Sequence, residues 1–391
     1  MRQVAIIIIA ITAISLAAYL TYISRQNLGS LPAALGPTPI VPTTVSTSTN
    51  TTGLPLVLPP GFSISFFAIG LTGPRDLEFD PTGALLVSEP SAGRITALPN
   101  KITVISGLNR PHGLAFSGTK LYIAEMNAVA VYDYDSKTKK ATNRQKIIDL
   151  PSGGNHWTRS LLIKDNLLYV ATGSTCNVCY ESDPRRSAIY VSDLDGHNFR
   201  PYASGLRNSV FQAINPTTNQ IWVTEMGRDL LGDDLPPDEI NILKENGNYG
   251  WPICFGQNIH DTNFDKNQYV RNPCADTIAS HIDLPAHSAP LGMAFIPGSW
   301  PKDYVGDLLV SFHGSWNRSV PTGYKVTRFD LTTSQTKVGE SDFIFGWLTK
   351  EGALGRPVDL IFDSVGSLFI SDDKSGSVYK LTPPSVTTQP N

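Results

Sequence analysis

Arginine and histidine side chains recur at the start of paired apolar runs along this chain. Six residues share that position: Arg75, His112, His156, Arg159, Arg207 and Arg356. Gathered around one opening, six cationic or imidazole groups would repel each other unless an anion neutralised them. For any single arginine, a salt bridge between neighbouring elements is an equally good interpretation. As a set, the residues favour a site for an anionic ligand.

A loop rich in carboxylates lies between residues 225 and 241. Beyond Glu225 it contains five acidic residues: Asp229, Asp233, Asp234, Asp238 and Glu239. Carboxylates among Gly and Asn, with backbone carbonyls released by turns, are the oxygen donors that a hard cation such as Ca²⁺ binds. Because the spacing is not that of an EF-hand, a solvated acidic loop is the alternative that composition leaves open.

A repeated pattern of strands must position these groups. Each copy has a Gly or Pro, an Arg or polar residue, an apolar triplet, a turn and a β-rich run. Six copies begin near Pro74, Arg110, Arg159, Arg207, Pro290 and Arg356. The alternation predicts antiparallel strands, and about 55 residues per copy suits a four-stranded propeller blade with long loops. We therefore predict an all-β fold, a six-bladed β-propeller over residues 54–382. A pair of β-sandwiches is the alternative.

The composition agrees with this fold and excludes other classes. The chain of 391 residues has 32 Gly and 29 Pro, and only 17% of its residues are charged. Helical bundles and coiled coils are richer in charged helix formers and poorer in Gly and Pro. A formal net charge of −3 excludes the broad basic surface that binds nucleic acid.

The N-terminal segment predicts export. Residues 4–23 carry no charge, and about 20 helical residues span roughly 30 Å, the thickness of a hydrocarbon core. We expect residues 1–23 to form an uncleaved signal anchor, although cleavage and secretion remain open. Residues 24–53 are rich in Thr, Ser and Pro and predict a linker, and residues 383–391 a loose tail. The propeller is therefore expected on the extracytoplasmic side of a membrane.

Four cysteines fit two disulfides in an exported protein. A lone CxxC motif could also be a zinc half-site or a redox motif, but the chain has no second CxxC. Of the three possible pairings we favour Cys176 with Cys179 and Cys254 with Cys274. Both bonds would then hold loops in place rather than take part in a reaction.

Several segments resemble the quinoprotein sugar dehydrogenases, a family that includes the soluble glucose dehydrogenases and sorbosone dehydrogenase-like proteins. The segments are SGLRN at 204–208, WVTEMG at 222–227, DEIN at 238–241 and GNYGWP at 247–252. GGNHWTR at 153–159 and FHGSWNR at 312–318 are similar to the sorbosone dehydrogenase-like branch. The resemblance covers roughly residues 54–382 and implies a six-bladed propeller that binds pyrroloquinoline quinone (PQQ) and Ca²⁺.

The resemblance also implies roles for individual residues. His156 matches the general base, which takes the substrate hydroxyl proton while hydride passes to the quinone. The residues expected to contact the cofactor are Arg207, Asn208 and Arg356, with Lys325 and Arg159 as further candidates. Because PQQ is a tricarboxylate, this assignment would explain the positive cluster.

Two calcium sites follow from the same resemblance. Gly227 and Arg228 match backbone carbonyl ligands of a catalytic Ca²⁺, whereas Glu239, Tyr249 and Asp261 are expected at a second, structural Ca²⁺. Arg228 stands where the soluble glucose enzymes have proline, a change that a backbone ligand tolerates. Val358 stands where those enzymes have a second cofactor arginine, so weaker cofactor binding is expected.

We therefore expect a PQQ- and Ca²⁺-dependent enzyme that oxidises a sugar or another polyol or aldose. Electrons would pass to a quinone, a cytochrome or a dye-like acceptor, because no dinucleotide-binding fingerprint follows a strand. The alternatives are a Ca²⁺-dependent propeller lactonase, which needs no arginine cluster, and a non-catalytic surface receptor.

Overall fold

The computed structural model describes residues 47–331 and 339–384, and these residues form a six-bladed β-propeller. Six sheets follow one another along the chain, each built on four antiparallel strands, and two of them carry a fifth strand at the edge. The predicted all-β class and the six four-stranded blades are therefore confirmed. The anchor predicted over residues 1–23 lies outside the described residues.

Strands are numbered β1 to β30 in chain order, and each blade is given from its innermost strand outward. Blade 1 contains β3 (Leu77–Phe79), β4 (Leu85–Glu89), β5 (Arg94–Leu98) and β6 (Ile102–Ser106). Blade 2 contains β7 (Leu114–Ser117), β8 (Lys120–Glu125), β9 (Ala128–Asp135) and β10 (Lys140–Asp149). Blade 3 contains β11 (Arg159–Lys164), β12 (Leu167–Thr172), β13 (Ala188–Asp193) and β14 (Arg200–Ser204), with β18 (Gly247–Asn248) added at its edge.

The other three blades follow the same order. Blade 4 contains β15 (Gln212–Ile214), β16 (Ile221–Glu225), β17 (Asp238–Ile242) and β21 (Ile282–Leu284). Blade 5 contains β22 (Pro290–Phe295), β23 (Leu308–Phe312), β24 (Lys325–Asp330) and β25 (Gly339–Ile344). Blade 6 contains β28 (Pro357–Phe362), β29 (Leu368–Asp372), β30 (Ser377–Thr382), β2 (Ser63–Ala68) and β1 (Thr49–Asn50).

Three short elements of the described residues lie outside the blades. Two hairpins pair β19 (Cys254–Phe255) with β20 (Ile259–His260), and β26 (Leu348–Thr349) with β27 (Gly352–Ala353). A single 3₁₀ turn spans Pro90–Ala92. Within the described ranges, no helix has the length and hydrophobicity that a membrane crossing requires.

Burial along the strands explains their sequences. The second strand of a blade is buried on both faces, as in β4, β16 and β29, because each blade packs between two neighbours. Outer strands such as β10 are mostly exposed to solvent and carry charged residues. The apolar runs that sequence analysis selected are therefore mostly the inner strands.

Hydrophobic clusters join each blade to the next. Leu86 and Ile95 of blade 1 pack against Leu121 and Tyr132 of blade 2. Equivalent clusters join the remaining pairs of successive blades in the described structure, including blade 6 to blade 1. The core is thus a ring of interfaces between blades, which fixes the loops at one mouth relative to each other.

The ring is closed by strands from both ends of the propeller. In blade 6, β2 pairs with β30 in antiparallel fashion, and β1 pairs with β2 in parallel fashion. The sheet therefore starts at Thr49, inside the segment for which a linker is expected. Phe62, which is 1% exposed, anchors this segment among the rings of Trp300, Tyr304 and Phe343.

Both favoured disulfides are confirmed. Cys176 is bonded to Cys179, and Cys254 is bonded to Cys274. No free cysteine is present among the described residues, which excludes a zinc half-site at the CxxC motif in this oxidised form.

Candidate active site

A cavity of about 460 Å³ opens at one mouth of the propeller, within the size range of small-molecule sites. The start of an innermost strand and the end of the second strand lie at the same mouth, because the two strands are antiparallel. Loops from blades 3 to 6 therefore converge here. The lining includes Asn155, His156, Trp157, Arg207, Met226, Gly227, Asp229, Asp238, His287, Ala289, His313, Gly314, Trp316, Asn317 and Arg356.

His156 lies in this cavity with a defined tautomer. Its Nδ1 lies 2.7 Å from Ser174 Oγ and 3.1 Å from Ser174 O. Because Ser174 Oγ donates its only proton to Cys176 O, both atoms next to Nδ1 act as acceptors, and Nδ1 must carry the ring proton. Nε2 then holds a free lone pair. Burial and the charge of Arg207 lower the pKa of His156 to about 3, so the ring is neutral at physiological pH.

Gly173 allows His156 to reach this position. A Cβ at Gly173 would lie 2.5 Å from Asn208 Oδ1 and 2.6 Å from His156 Cβ. Only glycine leaves room for both neighbours, because real Cβ atoms do not approach other heavy atoms so closely. The local sequence thus brings the histidine loop and the Arg207–Asn208 loop together.

Arg207 is 4% exposed and donates all of its N–H groups within the protein. Nε donates to Asn177 O at 2.8 Å, and Nη1 donates to the carbonyls of Met226 and Gly227. Nη2 donates to Asn177 Oδ1 at 2.9 Å and to Asp229 Oδ2 at 3.2 Å. Arg207 therefore acts on a ligand in the cavity mainly through its charge.

Arg356 lies across the cavity and keeps donors available. Its Nε donates to His313 O at 2.9 Å, and its Nη2 donates to Gly314 O. Nη1 has no acceptor among the described residues, so it can donate to an anionic ligand. His313 Nε2 in turn lies 2.8 Å from Asp373 Oδ1, and Arg75 pairs with the same carboxylate at 2.6 Å.

Asp373 balances part of this positive charge. Burial alone would raise the pKa of Asp373, but the hydrogen bond from His313 and the charges of His313, Arg75 and Arg356 lower it to about 2. The carboxylate stays ionised and fixes the His313 ring. Arg75 is therefore an ion-pair partner next to the cavity rather than part of its lining.

Three residues expected to contact the cofactor do not line the cavity. Arg159 is fully buried and donates to the carbonyls of Pro151, His156 and Thr158, so it supports the histidine loop. Lys325 pairs with Asp342. Asn208 is buried with its Nδ2 3.3 Å from Met226 Sδ.

His112 belongs to the same group of mouth residues in the sequence, but it is fully buried. Its ring packs between Trp157 and Phe211. Neither ring nitrogen has a hydrogen-bond partner among the described residues.

Oxygen atoms that suit a hard cation gather beside Arg207. The carbonyls of Met226 and Gly227 lie 3.3 and 2.9 Å from its Nη1, so both point towards a positive charge. The Asp229 carboxylate is close, and Asp238 orders the loop by accepting from the backbone N–H groups of Gly227 and Ala289 at 2.8 Å. Because these oxygens already accept from Arg207, a Ca²⁺ ion would bind them through their remaining lone pairs, beside the guanidinium.

The residues expected at a second Ca²⁺ site surround a separate cavity of about 20 Å³ lined by Arg228, Glu239, Tyr249 and Asp261. The Arg228 guanidinium lies in that space, with Nη1 3.2 Å from Asp261 Oδ2. The Tyr249 hydroxyl donates to Ile242 O at 2.6 Å, and Glu239 Oε1 accepts from Gly256 N at 2.6 Å. The Arg228 cation already faces the Asp261 carboxylate, so a second Ca²⁺ would have to displace this side chain, and the second site stays a prediction.

Several lining residues were not selected from the sequence. No sequence motif pointed to His287. In the structure its Nε2 donates to Gly232 O at 2.8 Å, and its Nδ1 lies 3.9 Å from Asp229 Oδ1. Trp316 is 72% exposed at the rim, and Asn317 Nδ2 donates to Asp229 Oδ1 at 3.0 Å. For these two, the FHGSWNR segment at 312–318 was the available signal.

The TrAA12-like family model matches residues 56–384. The chain belongs to the TrAA12-like family. This confirms the resemblance to quinoprotein sugar dehydrogenases that the sequence segments indicated. The match spans all six blades, so the cavity lies wholly within the family domain.

Several known proteins are similar to this chain over most of its length. An uncharacterized protein of Borreliella burgdorferi is 33% identical over 83% of this chain and 90% of its own length. A protein named as a PQQ-dependent sugar dehydrogenase from Hypocrea jecorina is 27% identical over 82% of this chain and 88% of its own. The structure of the carbohydrate-active enzyme family AA12 protein of Trichoderma reesei superposes with a TM-score of 0.72 at 26% identity, covering 84% of this chain and 98% of that one.

Proposed function

We propose that this protein is a PQQ-dependent dehydrogenase that oxidises a sugar or another polyol, with His156 as the general base. The observation that carries the proposal is the cavity, in which a neutral histidine with a free Nε2 faces the same space as Arg207 and Arg356. The relatives support the reaction class, since one of them is named as a PQQ-dependent sugar dehydrogenase.

Different lining residues would hold the cofactor in different ways. Arg356 would donate from Nη1 to a carboxylate of PQQ, and Arg207 would contribute positive charge from the opposite wall. The carbonyls of Met226 and Gly227 and the Asp229 carboxylate would hold a Ca²⁺ ion. When bound, PQQ supplies the acceptor for the hydride that leaves the sugar carbon.

His156 removes the proton that accompanies this oxidation. The substrate hydroxyl transfers its proton to Nε2 while Nδ1 continues to donate to Ser174, so the ring becomes an imidazolium without losing its orientation. The charge of Arg207 opposes that protonation. An anionic ligand between the two side chains would offset the charge and raise the pKa of His156 towards the working range.

The oxidised sugar loses two electrons and two protons in all, and the electrons must leave the protein. A quinone, cytochrome or dye-like acceptor would take them. We propose that this occurs on the extracytoplasmic side, with the propeller attached to the membrane through residues 1–23, or secreted if that segment is cleaved.

Titration of the Ca²⁺-loaded protein from residue 47 onward with PQQ tests the proposal, followed by a screen of sugars with a dye acceptor. We expect His156→Asn to bind PQQ with an unchanged Kd and to lower kcat by about 10²-fold or more. Arg356→Met should raise the Kd for PQQ by about tenfold. Lys120→Met, an exposed position at the start of β8 and therefore at the opposite mouth, is the matched control.

Two outcomes would reject the proposal. If the wild-type protein fails to bind PQQ at high micromolar concentration, a Ca²⁺-dependent lactonase or a surface receptor becomes the leading candidate. Full turnover by His156→Asn would remove this residue from the base role.

A further inference from the structure

A four-residue loop closed by the Cys176–Cys179 disulfide contacts the cavity wall through Asn177. Asn177 O accepts from Arg207 Nε at 2.8 Å, and Asn177 Oδ1 accepts from Arg207 Nη2 at 2.9 Å. The same Oδ1 accepts from Asp229 N at 2.8 Å, and Asn177 Nδ2 donates to Asp229 O at 3.0 Å. One asparagine thus joins the loop after β12, the arginine before β15 and the segment after β16.

The loop also reaches His156. The carbonyl of Cys176 accepts the Ser174 hydroxyl proton at 2.7 Å, and this hydrogen bond makes Ser174 Oγ an acceptor for His156 Nδ1. The tautomer of the histidine and the position of Arg207 therefore both depend on the backbone of residues 176 and 177. No other described loop is bonded to both of these side chains in this way.

The Cys176–Cys179 disulfide restricts the backbone that positions Asn177. Asn177 uses its main-chain carbonyl and its side-chain amide at once, so both its backbone and its side-chain conformation must be held. The bond between the residues on either side of this turn restricts that backbone. Both cysteines and Asn177 are only half-buried, so a small reductant in solvent can reach the bond.

We propose that the Cys176–Cys179 loop is a positioning element for the site, in which Asn177 holds Arg207 and the Gly227–Asp229 segment, and that reducing the disulfide weakens cofactor binding. The statement about the cofactor depends on the proposed function, whereas the statement about Asp229 does not. In the reduction, a dithiol gives two electrons and two protons to the disulfide. Two thiols form on the protein, and the dithiol becomes a cyclic disulfide.

Hydrogen exchange of the Asp229 amide reports this contact without any cofactor, because that N–H donates directly to Asn177 Oδ1. In the cofactor-free protein we expect exchange at Asp229 to accelerate at least about tenfold in Asn177→Ala, in the Cys176→Ser/Cys179→Ser double variant, and after dithiol treatment. Asn177→Asp keeps the oxygen that accepts from Asp229 N but loses the Nδ2 donor to Asp229 O, so its exchange should lie between that of the wild type and that of Asn177→Ala. Val178→Ala, in the same loop, is the matched control.

The same variants are then titrated with PQQ in the presence of Ca²⁺. We expect the Kd to rise at least about tenfold for Asn177→Ala and for the double cysteine variant, and less than about twofold for Val178→Ala. Dithiol treatment of the double variant should change neither measurement. Its remaining disulfide joins Cys254 to Cys274, and both of these cysteines are buried.

These results distinguish the positioning role of the Cys176–Cys179 loop from the proposed PQQ-dependent function. Unchanged Asp229 exchange in Asn177→Ala and in the double cysteine variant would overturn the positioning role. If dithiol changes the double variant as much as it changes the wild type, the redox response belongs to Cys254–Cys274, and the proposal for this loop is overturned. If wild-type protein does not bind PQQ, the proposed function fails, and the exchange measurement alone decides the role of the loop.

Discussion

The tautomer of His156 depends on a hydroxyl group 18 residues further along the chain. Ser174 Oγ has one proton, and its donation to Cys176 O determines which ring nitrogen of His156 is protonated. The sequence predicted the histidine through the GGNHWTR segment, but nothing in it pointed to Ser174. Arg159 shows the same limit of sequence analysis. Its place at the start of a strand was predictable, but the direction of its side chain was not.

The charge of Arg207 is expected to influence the titration of His156. After burial, this charge is the largest cause of the low pKa of about 3. Arg207→Met should therefore raise the pKa of His156 in the cofactor-free protein, while burial keeps it below the ordinary value of about 6.5. NMR titration of the imidazole signals measures both values, and His156→Asn assigns the resonance.

The same shift has a consequence for stability. Between about pH 3 and pH 6.5 the unfolded chain binds a proton at His156 that the folded chain does not, so this residue makes folding less favourable as the pH falls through that range.

If Arg207→Met leaves the pKa of His156 unchanged, the side chains of Arg207 and His156 are not coupled.

Loops rather than strands determine which metal sites this propeller can have. The segment after β16 is fixed to the loop closed by Cys254–Cys274 through the Arg228–Asp261 pair. Sequence reasoning treated Arg228 as a backbone ligand only, so it assigned Glu239, Tyr249 and Asp261 to a second Ca²⁺. The arginine side chain enters that space instead. Both disulfides were predictable because each joins cysteines that are near in sequence.

Removing the Arg228 side chain should create the missing calcium site. In EDTA we expect Arg228→Ala to lose about 3 kcal/mol of unfolding free energy, because the buried Asp261 carboxylate is left unpaired. Added Ca²⁺ should restore most of this loss, and the variant should bind one more Ca²⁺ per chain than the wild type. Urea unfolding and metal analysis after gel filtration measure the two effects.

Arg228→Lys is the control for this experiment, since it keeps a positive charge beside Asp261. It should bind no additional Ca²⁺. A wild-type protein that already binds the second ion, or an Arg228→Ala variant that binds no more than the wild type, would contradict the assignment of Arg228 as the internal cation.

The ring as a whole is closed by a strand that belongs to no complete copy of the repeat. Six copies could be identified because each contains two or three apolar runs in succession. Ser63–Ala68 is a single strand without a neighbour in sequence, so its pairing with Ser377–Thr382 could not be read from the pattern. The short strand that pairs with Ser63–Ala68 in parallel fashion, Thr49–Asn50, lies before residue 54, where the repeat pattern begins the propeller.

Removal of this closing strand should destabilise the entire ring. A protein that starts at residue 70 lacks β1 and β2 and exposes the edge of β30, and we expect it to aggregate or to lose its cooperative unfolding transition. A protein that starts at residue 47 should unfold cooperatively. Circular dichroism during urea unfolding, with gel filtration, distinguishes the two.

A point substitution separates strand pairing from packing. Phe62→Ala keeps β2 but removes a ring that contacts Trp300 and Phe343. It should lower the unfolding free energy by about 3–5 kcal/mol. A stable, monomeric protein starting at residue 70 would show that the ring does not need this closure.

The pairing of Ser63–Ala68 with Ser377–Thr382 also determines when the ring can close during synthesis. The ribosome makes the strand Ser63–Ala68 before any blade, but its partner Ser377–Thr382 is made roughly 300 residues later. At about 5–20 residues per second, the first strand waits about 15–60 s for the last. Through that interval a segment containing Phe66 and Phe67 lacks its antiparallel partner, so the nascent chain must be kept from pairing with other chains until translation is complete.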